Sequence, residues 1–210
     1  MIFLFRVHNL QKGDFVKPLS TLLLALLAPL PVMATPITYV IDSLHSFPNF
    51  TVGHLGMTVV HGRFERMTGK VVLDQQAKTG SLEVKVQTAT ISTGDSKRSD
   101  GARSRDDHLR TPDFFNSTEF PEMVFKSTKL NFAGDKLESV DGTLTLLGVT
   151  KPMNLKVTMF NCGPHPFNKK PMCGAYVEGA LKRTDFGMKF GVPAISDEVK
   201  LAIGIEAYPE

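Results

Sequence analysis

From residue 35 onward, hydrophobic positions alternate with polar ones far more often than they recur at helical spacing. Leu82, Val84 and Val86 alternate with Glu83 and Lys85, and Met153, Leu155, Val157 and Met159 alternate with Asn154, Lys156 and Thr158. Val199, Leu201, Ile203 and Ile205 repeat the theme. A period of two sends successive side chains to opposite faces, so each stretch predicts a strand with one buried and one wet face. Further strand-like stretches fall at 37–42, 49–53, 58–64, 69–74, 88–92, 122–132, 137–147 and 174–182, separated by Gly, Asp, Asn or Pro. That spacing suits an antiparallel meander.

Parallel strands would need a helix between each pair, and only the region 100–116 has helical character. The pattern predicts one short helix near residues 101–111, stopped by Thr111-Pro112. An all-β chain with so little helix has two solutions, a two-sheet sandwich or a closed barrel. Closure removes exposed strand edges, and about eight strands leave an interior that side chains or one ligand can fill. We therefore expect an antiparallel β-barrel.

The N-terminus changes the account of charge. Leu19 to Leu30 is Leu/Ala-rich, is preceded by Arg6, Lys12 and Lys17, and is followed by Val32-Met33-Ala34. This is the layout of a signal peptide, too short for a membrane span and interrupted by Pro29 and Pro31, with cleavage expected after Ala34. Residues 1–34 are thus read as a cleaved export signal and 35–210 as one domain. The formal net charge is +3, from 24 Lys and Arg against 21 Asp and Glu. Cleavage would leave 21 against 20, too balanced for the basic face that nucleic acid binding needs.

Cys162 and Cys173 are the two cysteines, in a segment rich in Pro, Gly, Lys and Asn. In an exported chain they are expected to form a disulfide across a hairpin loop. Zinc is the rival, with His165 as a third ligand, but no closely spaced cysteine pair or fourth ligand is evident.

The remaining chemistry-bearing residues do not form a catalytic pattern. Asp42, His45 and Ser46 are the three residue types of a nucleophilic triad, yet neighbours on a strand point to alternate faces. No Gly-x-Ser-x-Gly elbow is present. Asp106, Asp107 and His108 are adjacent on the expected helix and point in different directions. No paired-His helix motif suggests a metal, and no Gly-rich loop leading into a helix suggests a phosphate cradle. Lys97, Arg98, Arg103, Arg105 and Arg110 interleave with Asp95, Asp100, Asp106 and Asp107, as on a solvated charged face. The sharper reading puts an arginine against an anionic head group at a barrel mouth. No catalytic residue, metal or cofactor is expected.

The apolar inventory is less ordinary. Beyond residue 34 there are twelve Phe, seven Met and no Trp. Such a barrel is either packed shut or holds something apolar.

Several motifs resemble one family. Tyr39-x-x-Asp42-x-x-His45-Ser46 with Phe50, His54, Gly62 and Phe64 resembles the opening of the YceI-like family of polyisoprenoid-binding proteins. Arg105-Asp106-x-His108-Leu109, Phe114-Phe115 and Phe120-Pro121-x-x-x-Phe125 follow in that family's order. Then come Gly142-x-Leu144-Thr145-x-x-Gly148-Val149-Thr150-Lys151-Pro152 and Arg183-x-Asp185-Phe186-Gly187-Met188 with Asp197-x-Val199.

The resemblance implies an extended lipocalin-like barrel in the periplasm, often a dimer, whose pocket holds an isoprenoid such as a quinone or polyprenyl phosphate. The lining expected on that basis is Phe50, Phe64, Leu109, Phe114, Phe115, Phe125, Leu144, Leu146 and Met188, with Arg105 and His108 at the head-group end. A homodimer and transient contact with a membrane surface are the other partners expected. A lipid-modifying enzyme using the same pocket, and a ligand-free stress or interaction module, are the rival readings. The Cys162 to Cys173 loop lies outside the general family pattern.

Overall fold

The computed structural model describes residues 35–210; the expected export signal lies outside the described residues. The strands are β1 (Ile37–Ile41), β2 (Phe47–His54), β3 (Thr58–Phe64), β4 (Met67–Asp74), β5 (Thr79–Gln87), β6 (Ile91–Ser92), β7 (Glu122–Ala133), β8 (Lys136–Leu146), β9 (Val149–Pro164), β10 (Pro171–Lys182) and β11 (Ile195–Pro209). One helix, α1 (Arg105–Leu109), lies between β6 and β7.

Every pairing is antiparallel. The order β1-β4-β5-β7-β8-β9-β10-β11 returns to β1, which closes an eight-strand ring. β2, β3 and β6 extend one wall beyond that ring. The device that joins ring and extension is the length of β11. One of its edges pairs with β2 from Ile195 to Gly204 and then with β1 from Ala207 to Pro209. Between β1 and β2 the chain turns at 43–45, where Asp42 Oδ1 accepts the Leu44 N–H at 2.9 Å.

The barrel interior differs along its length. At the end carrying the β4–β5 and β7–β8 turns, Tyr39, Leu73, Leu130 and Leu137 are buried in one apolar cluster and pack the barrel shut. A second cluster, around Ile41, Phe64, Met67 and Ile91, lies where the extension begins.

The helix is shorter than the pattern predicts. Gly101 has φ 72° and residues 101–104 are not helical; Ser104 caps the helix, its Oγ accepting the Asp107 N–H at 3.1 Å. Ser and Asp favour such caps over helix interiors because they compete for backbone hydrogen bonds. Arg110 is the C-cap, and residues 112–120 run through turns. The expected strand 88–92 also divides. Thr88–Thr90 form a 3-10 turn, in which Thr88 Oγ donates to Phe120 O at 2.7 Å and Thr90 Oγ to Gln87 O at 2.7 Å; only Ile91–Ser92 pair as strand.

Although only five residues long, α1 is fastened firmly. Asp106 is buried, and its Oδ1 accepts from the Thr93 N–H at 2.8 Å and the Thr93 hydroxyl at 2.6 Å. Arg110 donates to Ala89 O at 2.8 Å and Ile91 O at 2.9 Å. These bonds hold α1 against the end of β6, beside the open end of the barrel.

Candidate functional site

A cavity of about 410 Å³ occupies the barrel from its open end to the packed end. Its depth follows from strand alternation. Val199, Leu201, Ile203 and Ile205 of β11 all line it, as do Leu82, Val84 and Val86 of β5. Six residue rises from Val199 to Ile205 amount to roughly 20 Å of wall. The deep end is lined by Val140, Leu155 and Val177.

Aromatic rings form the wall nearer the mouth. Phe64 lies 5.8 Å from Phe50 and 5.3 Å from Phe115, the latter edge to face. The polar lining is gathered at the mouth, chiefly Thr93, Asp95, Arg98, Arg103, Arg105 and His108. One end of the cavity is therefore polar and the rest apolar, the shape of a site for an amphiphile.

All eleven residues expected from the sequence stand on this wall: Phe50, Phe64, Arg105, His108, Leu109, Phe114, Phe115, Phe125, Leu144, Leu146 and Met188. The two polar members already have protein partners. His108 Nε2 lies 2.8 Å from Asp113 Oδ2, and its ring meets Phe114 and Phe190 edge to face, each at 5.0 Å. Arg105 Nε donates to Thr93 Oγ at 2.7 Å.

Sequence reasoning missed Arg183, a cavity-lining residue only 2% exposed. Its guanidinium donates to Ser196 O at 2.9 Å, Ile195 O at 2.9 Å, Phe190 O at 2.8 Å and Met188 O at 3.3 Å. Burial pushes its pKa below the ordinary arginine value, and Asp197 partly opposes this. Asp197 is itself held low, first by the Thr184 N–H that donates to it at 2.9 Å. Arg183 thus ties the loop after β10 to the start of β11 and fixes one side of the mouth. The signal was present in Arg183-x-Asp185-Phe186-Gly187, but a lone arginine reads as exposed until its carbonyl partners are known.

The Asp42, His45 and Ser46 reading needs correction. These residues sit on a turn rather than a continuous strand, and His45 Nδ1 does meet Asp42 Oδ2, at 2.7 Å. The second bond of a relay is missing. Ser46 is fully buried; its Oγ accepts the Glu206 N–H at 2.9 Å and donates to Glu206 O at 3.2 Å, locking β2 to β11. Asp42, His45 and Glu206 bring polar atoms within 4.8 Å of one another, but none of them lines the cavity.

Cys162 and Cys173 are joined by a disulfide between directly opposed residues of β9 and β10. His165 is no zinc ligand to this pair. Its Nδ1 accepts from the Phe167 and Asn168 N–H groups at 3.2 and 3.3 Å, closing the hairpin tip.

Comparison with known proteins matches the architecture. The chain is 34% identical over 166 residues to Protein YceI of Shigella flexneri, covering 79% of this chain and 82% of that one. BcnA of Burkholderia cenocepacia superimposes with a TM-score of 0.63 at 20% identity, covering 79% of this chain and 98% of BcnA. A polyisoprenoid binding domain from Saccharophagus degradans, implicated in plant cell wall breakdown, gives 0.56 at 16% identity, covering 83% and 99%. The YceI-like domain model matches residues 39–207, and with it this chain belongs to the YceI-like domain family.

Proposed function

We propose that this chain is a periplasmic binding and carrier protein that holds one isoprenoid lipid in its barrel and performs no chemistry on it. The observation that carries this reading is the polarity of the cavity: packed shut at one end, apolar along its length, and rimmed by Arg98, Arg103, Arg105 and His108 at the other.

Each methylene moved from water into such a lining gains ~0.8 kcal/mol, so a chain of several isoprene units needs no polar contact for tight retention. The rim would then select the head group, a quinone or polyprenyl phosphate. The homologous fold that is described as a polyisoprenoid binding domain supports the cargo class. A disulfide supports an oxidising compartment, in line with the expected export signal.

Binding is favoured over a lipid-modifying enzyme because His108 and Arg183, the two cavity-lining groups best placed for chemistry, are engaged within the protein. His108 is paired with Asp113, and the buried Arg183 is surrounded by carbonyl oxygens rather than by a nucleophile or base. The test is solvent extraction of the protein purified from its native source, followed by mass spectrometry. A stoichiometric prenyl lipid is expected; an empty extract, or a tail without the five-carbon repeat, overturns the proposal.

A further inference from the structure

Two loops at the cavity mouth carry exposed apolar side chains, of which Phe190 packs in part on His108 and Phe114. The β2–β3 turn is closed by the Met57 N–H, which donates to His54 O at 3.1 Å, with Leu55 and Gly56 as its central residues. Both have positive φ, 58° and 67°. This turn favours Asn-Gly or Asp-Gly, because a side chain such as Leu is strained in the left-handed region. Leu55 occupies the position nonetheless and is 57% exposed, so packing within the barrel does not explain it; Met57 beside it is 88% exposed.

The second loop lies against the first. The Leu55 N–H donates to Ala194 O at 2.6 Å, and His54 pairs with Ile195. This loop exposes Phe190 and Val192 and carries the exposed Lys189. Val59 at the base of the turn is exposed as well. Among the described residues, four of the eleven exposed large apolar side chains therefore stand on two touching loops, with Val59 beside them at the start of β3. Phe190 and Ile195 continue directly into the cavity wall, and Arg98, Arg103 and Arg105 outnumber Asp95 at the same mouth, although Arg98 is paired with Asp100.

From this continuity we infer that the mouth is a membrane-docking surface. Leu55 and Met57 enter the interfacial region of a bilayer, while Lys189 and the rim arginines face anionic head groups. Amphipathic surfaces of this kind bind bilayers through buried apolar area together with attraction to anionic lipid. The cavity then opens onto the bilayer, and an apolar chain passes between the two without crossing water. The inference rests on the lipid-binding reading for its purpose, but not for its test.

The test is co-sedimentation of the processed full-length chain with vesicles of phosphatidylethanolamine and phosphatidylglycerol, alongside a measurement of lipid content per protein. Wild type is expected to sediment with the vesicles. Leu55→Asn with Met57→Asp is expected to weaken binding at least tenfold while leaving lipid content unchanged, since neither residue lines the cavity. Phe167→Asp, at a 91% exposed site on the opposite β9–β10 tip, is expected to change nothing.

Leu55→Asn alone guards against misfolding, because Asn suits the left-handed region: the melting temperature should hold or rise while vesicle binding falls. Wild-type protein that does not sediment, binding insensitive to the tip, or binding lost equally with Phe167→Asp overturns the inference. So does a dimer in analytical ultracentrifugation that the tip substitutions dissociate. Tip-dependent vesicle binding by a protein whose cavity proves empty supports the docking surface and defeats the cargo reading alone.

Discussion

The ring of Phe50 fills the space over Gly62, the residue opposite it across β2 and β3: a Cβ at Gly62 would stand 2.3 Å from Phe50 Cζ. Phe125 crowds Gly142 from the diagonal position across β7 and β8, its Cζ 2.4 Å from where a Cβ would stand, but there the Lys126 carbonyl oxygen is also only 2.5 Å away. Both rings line the cavity. The difference decides the outcome of adding one methyl. In Gly62→Ala the Phe50 ring can swing into the hollow interior, so lipid content should fall by half or more for a stability loss under ~1 kcal/mol. In Gly142→Ala the clash with backbone has no such escape, and the loss should reach about 1–3 kcal/mol. Urea unfolding together with lipid quantification on both variants checks the contrast.

Arg183 yields a sharper stability prediction. Replacing it with Met keeps much of the volume but leaves the carbonyls of Met188, Phe190, Ile195 and Ser196 without their donor. A buried acceptor left unsatisfied costs ~1–3 kcal/mol, so Arg183→Met should lose at least about 3 kcal/mol. Lysine cannot restore a planar fork of donors and should recover only part of it. Equal stability of the Met variant and wild type would show that water replaces the guanidinium at little cost.

Reduction of the disulfide acts on the unfolded chain. A sequence separation of 11 residues closes a short loop, for which chain entropy gives a stabilisation of about 3 kcal/mol. Because the bond lies at the end opposite the mouth, reduction should lower the unfolding midpoint and leave lipid content unchanged. Paired unfolding curves with and without reductant, with lipid measured at each endpoint, give the answer.

How much of this was legible depended on whether the cause was local. The alternations at 82–86, 153–157 and 199–205 announce strands because each has one inward face; at Met159, 67% exposed, the expected alternation fails, because the β9–β10 register shifts between Val157 and Met159. Closure of the ring did not show in any window, since it depends on β11 reaching past β2 to pair with β1, far away in sequence. The helix falls short of the length its pattern predicts because Gly101 and Ser104 belong to its approach and its cap rather than to its body. The family pattern marked Phe50, Phe64, Phe114 and Phe125, all of which stand on the cavity wall. It quoted Arg183 without revealing that Arg183 is buried, because burial is decided by the loop that folds over it. Asp42 and His45 read in sequence as strand neighbours pointing apart, whereas a turn three residues long brings them together.

That pair has a pH dependence whose sign can be worked out. The hydrogen bond that the His45 ring donates to Asp42 raises His45 above its ordinary value of 6.5, and the same bond is the largest cause lowering Asp42 below 3.8. A raised histidine contributes stability that is fully present below its unfolded value and disappears as pH rises through the folded one. A lowered carboxylate contributes stability that is present above its unfolded value and disappears as pH falls through the folded one. The two windows overlap between the two ordinary values, from 3.8 to 6.5, so the pair should be most effective in mildly acidic solution and fade on the alkaline side. Asp42→Asn should accordingly bring the His45 midpoint down toward 6.5 in an NMR titration. The stability gap between wild type and this variant should narrow once pH passes the wild-type His45 midpoint. A gap constant across that midpoint would assign the role of Asp42 to its bond with the Leu44 N–H, which holds the turn at any charge of His45.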